Sequence, residues 1–259
     1  MGTADAAAGA PGACPFTVDR PVMRQRWEQL TFLHWRYPAA VVQRLLPPWL
    51  RVEECDGTAW VGLVPFFMRV ATGGGHRAPW VSDFCETNVR TYVRDPEGRP
   101  GIWFFSLDAA RAGAVVVART TYRLPYFWSR MRLSARDGQM AYQCQRRWPG
   151  PRPVTSEVRV SVEAGIPGTG LSELEHFLTA RWVLFSSFGR YRVFARAEHQ
   201  PWPLHRAQAV TVDDHLMTAA GLPQPQGSPL THYSPGVDVR IGRPELAGAN
   251  RPFATPARG

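Results

Sequence analysis

Apolar and polar positions alternate along most of this chain, and the alternation predicts strands more often than helices. The segment Phe84-Cys-Glu-Thr-Asn-Val-Arg-Thr-Tyr-Val93 sets the pattern. With a period of two, Glu86, Asn88, Arg90 and Tyr92 share one strand face, while Cys85, Thr87, Val89 and Val93 share the other, mostly apolar one. Runs of β-branched and aromatic residues bounded by Gly, Pro or Asp predict strands near Trp27–Arg36, Thr58–Val70, Phe84–Arg94, Gly101–Leu107, Trp128–Ser134 and Gln139–Arg147. Others follow near Thr155–Glu163, Trp182–Ser187, Tyr191–His199, Leu204–Val210 and Val237–Ile241.

Helical spacing is confined to short stretches. Pro38 opens a pattern through Val42, Leu45 and Leu46 that Pro47 and Pro48 stop. Asp108 is placed to cap a helix over Ala109–Thr121, although Gly113 weakens it. Ser172 and Glu175 have the spacing of a capping box ahead of a helix over Glu173–Arg181. A short helix over Asp213–Ala220 closes at Gly221. Many strands with few, irregularly placed helices predict an α+β, mainly antiparallel β domain whose sheet curves or closes around a pocket; a doubly wound α/β sheet is disfavoured.

No repeat or low-complexity linker interrupts residues 20–243, which are predicted to form a single domain. The small, polar segments 1–19 and 244–259 read as flexible tails. Ten tryptophans between Trp27 and Trp202 indicate a folded body, because disordered segments are poor in aromatics. No basic segment leads into an apolar run, and no window approaches the roughly 18 uninterrupted apolar residues that span a bilayer, so a cytoplasmic protein without a membrane partner is expected.

Charge changes the picture in one respect. The Lys+Arg total of 30 is entirely arginine. These 259 residues offer no lysine side chain for a Schiff base or for a pKa-shifted amine base. The bias fits a GC-rich genome. A net charge of +9 would suit nucleic acid if it were clustered, but arginines such as Arg190, Arg192 and Arg196 are scattered among apolar residues, so that partner is disfavoured. Cys14, Cys55, Cys85 and Cys144 form no C-x-x-C pair, and His199, His205, His215 and His232 show no metal-binding spacing; no metal is expected. Nor is there a G-x-G-x-x-G, a P-loop or a G-x-S-x-G, and no cofactor is expected. The run Thr72-Gly-Gly-Gly-His76 reads as a mobile loop able to cover a cavity mouth.

Five separated strings carry a resemblance: E-x-N-x-R-T-Y-V from Glu86, G-I-W-F-F-S-L-D-A from Gly101, A-R-x-x-Y-x-L-P-Y-F from Ala118, H-x-P-W-P-L from His199 and V-D-V from Val237. In this order they resemble the YqjF-like family, an uncharacterised group within the acetoacetate decarboxylase-like superfamily. The resemblance runs from about Arg24 to Gly242 and implies a closed or double-layered β-barrel with a central cavity. In the decarboxylase branch the reactive lysine follows a proline; here Arg123-Leu-Pro-Tyr-Phe127 places Tyr126 and Phe127 there. The fold would then be kept without the imine chemistry.

The candidate chemistry in such a cavity is acid–base. Glu86 and Asp108 are candidate catalytic carboxyls if a dry pocket raises their pKa values, with Tyr126 as a hydroxyl donor. Arg90, Arg119 and Arg181 are candidate clamps for a carboxylate or enolate. Asn88, Tyr92, Trp103, Tyr122, His199, Trp202 and His232 complete the candidate binding set. The structural alternative is an outward-facing polar row, with arginine–carboxylate pairs that only tie helix to sheet. The expected function is a cofactor-independent enzyme of specialised metabolism. It would act on a small carbonyl or enol substrate, polyketide-like or a keto acid, by cyclisation, dehydration, isomerisation or decarboxylation without a Schiff base. A barrel that binds or senses a hydrophobic metabolite without turnover is the alternative. A homo-oligomer is compatible with either.

Overall fold

The period-two segments become long strands that pair with one another almost without interruption. The computed structural model describes residues 12–76, 82–150 and 153–249. In chain order the elements are β1 (Met23–Tyr37), α1 (Ala39–Gln43), β2 (Arg51–Val52), β3 (Glu54–Cys55), β4 (Thr58–Thr72), β5 (Phe84–Arg94), β6 (Pro100–Ala109), α2 (Ala112–Thr121), β7 (Tyr126–Arg136), β8 (Gln139–Trp148) and β9 (Thr155–Gly165). There follow α3 (Glu173–Thr179), β10 (Val183–Phe188), β11 (Tyr191–His199), β12 (His205–Asp214), α4 (Leu216–Ala219), β13 (Leu230–Ile241) and β14 (Glu245–Ala249). The result is a mainly antiparallel β fold with a few short helices. The departure is at β6: β5 pairs along one of its edges, and the other edge pairs in parallel with β10 at Ile102 and Trp103 and with β7 at Leu107–Ala109.

The pairings close into two rings. One runs β6–β5–β4–β1–β13–β11–β10 and back to β6; the other runs β6–β7–β8–β9–β12–β13–β1–β4–β5 and back to β6. The strands β13, β1, β4, β5 and β6 belong to both. Their side chains therefore alternate between two interiors, which is why β5 and most of β4 are buried on both faces. On β4, Val64, Phe66 and Met68 enter the first ring, whereas Val61 and Leu63 enter the second. The second interior is packed solid: Leu33, Trp35 and Val89 meet Met140, Tyr142, Val158 and Val160, and Leu216 and Met217 of α4 join them. Each such fully buried side chain stabilises the fold by about 1.5–3 kcal/mol. The first interior is not filled, and there the candidate site lies.

Alternation breaks at two places, and both breaks steer the site. At Gln29, whose φ is 50°, β1 steps out of phase, so Met23, Gln25 and Trp27 face the first ring before the bulge and Leu30 and Phe32 after it. Across from it lies Gly236, with φ 134°; a Cβ there would sit 2.1 Å from the Trp27 carbonyl oxygen, so only glycine fits. On β6 the register against β5 shifts between Val89 and Arg90. Ile102 and Phe104 face the first ring, and beyond the shift it is Leu107, not Asp108, that does so.

Several sequence expectations change. Asp108 is not a helix cap: β6 continues through Ala109 to pair with β5 and β7, and α2 begins after Arg111, which makes no side-chain capping bond. The Thr72–His76 run is a hydrogen-bonded turn, with His76 O accepting from Thr72 N and Val22 O from Gly73 N; the described residues of that turn do not line the central cavity. The folded body exceeds the predicted limits, since Val18 is buried and β14 pairs with β11. Residues 1–11 and 250–259 of the predicted tails lie outside the described residues. The capping box at Ser172 is present, with Ser172 N donating to Glu175 Oε2 at 2.6 Å and Glu175 N to Ser172 Oγ at 3.2 Å. No helix among the described residues is long and apolar enough to cross a membrane.

Candidate active site

Inside the first ring is a cavity of about 150 Å³, to which all seven of its strands contribute side chains. A cavity of roughly this size holds a benzene-sized molecule. Its wall is mostly apolar, with Trp27, Phe66, Phe84, Phe104 and Trp202 prominent, and the helices α2 and α3 close it at the sides. Against this background the even-numbered face of β5 introduces Glu86, Asn88 and Arg90, because the odd-numbered face is already committed to the solid interior of the second ring.

Glu86 is 2% exposed. Burial is the largest cause that pushes its carboxyl up to about 8, and the negative charge of Asp108 adds to it, while the hydrogen bond from Tyr126 opposes. Tyr126 Oη donates to Glu86 Oε2 at 2.9 Å, and its own pKa is driven well above the usual range by burial and by Glu86. At neutral pH these shifts favour a carboxylic acid beside a phenol.

Arg90 lies two residues along the same face and is 6% exposed. Its Nη2 donates to Leu178 O at 3.3 Å and to Tyr92 Oη at 3.4 Å, and its Nε has no partner. No carboxylate pairs with it among the described residues. The guanidinium stands over the rings of Phe32 (5.2 Å) and Tyr92 (5.8 Å), which soften but do not cancel the cost of burying a cation. Asn88 Oδ1 is likewise buried without a partner. On the cavity wall, the free Nε donor of Arg90 would suit an anionic oxygen, and the free Oδ1 acceptor of Asn88 would suit a ligand hydroxyl or N–H.

Behind Arg90 is a polar network. Tyr92 Oη donates to Leu178 O at 2.8 Å, and His34 Nε2 contacts the same hydroxyl at 2.6 Å. Since that phenolic proton is used on Leu178, Nε2 of His34 is the donor. Burial, followed by the charge of Arg90, holds the His34 pKa well below the ordinary range, so the ring is neutral. His199 is also held neutral by burial; its Nδ1–H donates to Gln200 O at 2.7 Å.

Residues 24–238 match a family described as an uncharacterised conserved protein, DUF2071. The chain belongs to this family. It is 30% identical to the uncharacterised protein YqjF of Bacillus subtilis over 226 residues, covering 84% of this chain and 89% of YqjF. Two solved structures show the acetoacetate decarboxylase-like fold shared by this DUF2071 protein. The enduracididine biosynthesis enzyme MppR, complexed with pyruvate, superposes with a TM-score of 0.65 at 15% identity, over 89% of this chain and 92% of MppR. The acetoacetate decarboxylase of Legionella pneumophila superposes with a TM-score of 0.62 at 11% identity, over 87% of each chain.

Of the residues singled out in the sequence, the DUF2071 chain brings Glu86, Asn88, Arg90, Tyr122, Tyr126, Arg181, His199 and Trp202 to one cavity wall. Arg181 is there but already engaged, with Nη1 3.0 Å from Glu53 Oε2 and Nε donating to Phe177 O. Five others lie elsewhere. Asp108 points to the other side of β6, where Arg146 grips it through Nε (2.9 Å) and Nη2 (2.7 Å) and Ser129 Oγ donates at 2.7 Å. Tyr92 sits beneath α3 against Phe177, and His232 pairs with Glu175 at 3.0 Å. Trp103, on the odd face of β6, packs edge-on to Trp49, and Arg119 donates to the Tyr126 carbonyl; these two line a separate outer cavity between the α2–β7 connection and β10. Gln25, Trp27 and Thr179 are wall residues that the sequence reading did not include. Trp27 carried a visible signal as an aromatic in a predicted strand, and it stacks on Trp202 at 5.9 Å. Nothing local marks Thr179, which reaches the wall because α3 ends there.

Proposed function

We propose that this protein is a cofactor-independent enzyme that moves a proton on a small oxo acid or its enol. The observation that carries the reading is that one mostly apolar cavity is lined both by a carboxyl whose pKa burial raises to about 8 and by a buried cation with no carboxylate partner among the described residues. Arg90 would hold the carboxylate of the ligand, with Asn88 donating or accepting beside it. Glu86 would exchange the proton: as a carboxylate it takes one from the carbon next to the carbonyl, and as an acid it returns one to the enolate carbon. The electron pair left by the C–H bond moves onto the carbonyl oxygen, and Tyr126 Oη steadies the Glu86 carboxylate while the proton is away. Isomerisation, dehydration, cyclisation and decarboxylation each pass through such an enol. The named neighbours support this reading, since MppR has been captured with pyruvate and the Legionella enzyme is a decarboxylase of acetoacetate. With no lysine in these 259 residues, the imine route is closed to its side chains, and direct acid–base work is what this site retains.

The test does not require the natural product to be known. Pyruvate, 2-oxobutanoate and acetoacetate are incubated with the protein in D2O, and loss of their α-protons is followed by NMR. The expected result is exchange faster than in buffer, rising with pH to a plateau above about 8 as Glu86 becomes a base. Glu86→Gln should abolish exchange, and Arg90→Met should raise the acid concentration needed. Acids that bind in calorimetry yet never exchange would make this a binding barrel, which the apolar wall would also serve. Acids that do not bind would remove the assignment of Arg90.

A further inference from the structure

The central cavity has a neighbour. A second cavity of about 580 Å³ lies outside it, lined by Leu171, His176, Ala180 and Pro201 among others. Three residues, Thr179, His199 and Trp202, line both. A single layer of side chains thus separates the two spaces. That layer is mainly aromatic. His199 lies against Trp202 at 5.2 Å and Trp182 at 6.1 Å, and Trp202 meets Phe32 edge-on at 5.2 Å. Its one hydroxyl is turned away, because Thr179 Oγ1 donates back to Glu175 O. The partition therefore offers a sliding apolar ligand little to desolvate.

The sizes of the two spaces are mismatched for a ligand of three or four carbons. Such a molecule fills the inner cavity and makes no use of the outer one. We propose that the two cavities together bind one elongated ligand: an oxo acid whose head lies at Arg90 and Glu86 and whose unbranched alkyl tail passes the Trp202–His199 layer into the outer cavity. This rests on the reading of the inner cavity as an oxo-acid site. The apolar side chains of Leu171, Pro201 and Ala180 would cover the tail, and Thr169 and His176 would meet its far end.

The experiment measures dissociation constants of pyruvate and 2-oxooctanoate by calorimetry. The expected gain for five added methylenes is on the order of 100-fold, after loss of tail freedom is allowed for. Leu171→Trp should fill the outer cavity, reducing that gain to below about tenfold while pyruvate affinity stays within about twofold. Ala180→Met is a second plug of smaller size, and unchanged circular dichroism and melting temperature confirm that each variant folds. Equal binding of the two acids would overturn the proposal and leave the inner site standing. So would a gain that survives both plugs, which would put the tail in another space, such as the cavity beside Trp103. If neither acid binds, the inner-site reading fails and this one falls with it.

Discussion

Replacing Glu86 with Gln should make the protein more stable in alkali, and the size of the gain follows from its burial. A carboxyl whose pKa rises from 4.5 in the unfolded chain to about 8 in the native fold binds its proton more tightly when folded. Below pH 4.5 both states are protonated and the group has no effect. Between 4.5 and 8 the unfolded chain has released the proton and the folded one has not, so stability falls by about 1.4 kcal/mol per pH unit. Above 8 the loss levels off at about 5 kcal/mol. Glutamine keeps the shape and an acceptor for Tyr126 and has nothing to ionise. Urea unfolding at pH 5, 7 and 9 should therefore show the wild type losing about 4 kcal/mol relative to Glu86→Gln across the series. Other groups titrate alike in both proteins and cancel in the difference. Parallel stability curves, within about 1 kcal/mol from pH 5 to 9, would show that the carboxyl ionises in the fold without penalty and would refute the dry-cavity argument.

Three further variants have expected outcomes. Tyr126→Phe removes a hydrogen bond that favours the Glu86 carboxylate, so the midpoint of α-proton exchange should move to higher pH, read from its pH profile. Asp108→Asn strands the buried Arg146 without a full counter-charge and should cost about 3–5 kcal/mol in urea unfolding. The same variant takes away a negative charge that raises Glu86, so its exchange midpoint should move to lower pH with exchange retained, an outcome that a catalytic Asp108 would not give. Gly62→Ala would place a methyl 3.0 Å from the His34 ring, against the nitrogen that meets Tyr92, and should cost about 1–3 kcal/mol in thermal unfolding.

Strand content was legible because antiparallel strands write their two faces into the sequence one residue at a time. The same rule placed Glu86, Asn88 and Arg90 together. It did not reach Asp108, a candidate cavity carboxyl just past the predicted strand: the register shift on β6 turns that residue to the opposite face, and one extra residue in a strand leaves no compositional trace. Tyr92 obeys the alternation yet misses the cavity, since α3 lies over it and takes its hydroxyl through Leu178, 86 residues later. Chain pairings over such separations are what a local pattern cannot report. The start of α2 was misread for a related reason: Asp108 looks like a cap until its partners Arg146 and Ser129 are known.

The five strands shared by the two rings assign neighbouring residues to separate tasks. On β5, Val89 is fixed by the solid interior, while Asn88 and Arg90 on either side of it face the ligand space. A substitution at Asn88 or Arg90 alters the cavity wall and leaves the core of the second ring untouched. Such a wall allows one scaffold to change its chemistry a residue at a time without repacking the second interior, so relatives with this architecture can diverge in substrate long before they diverge in shape.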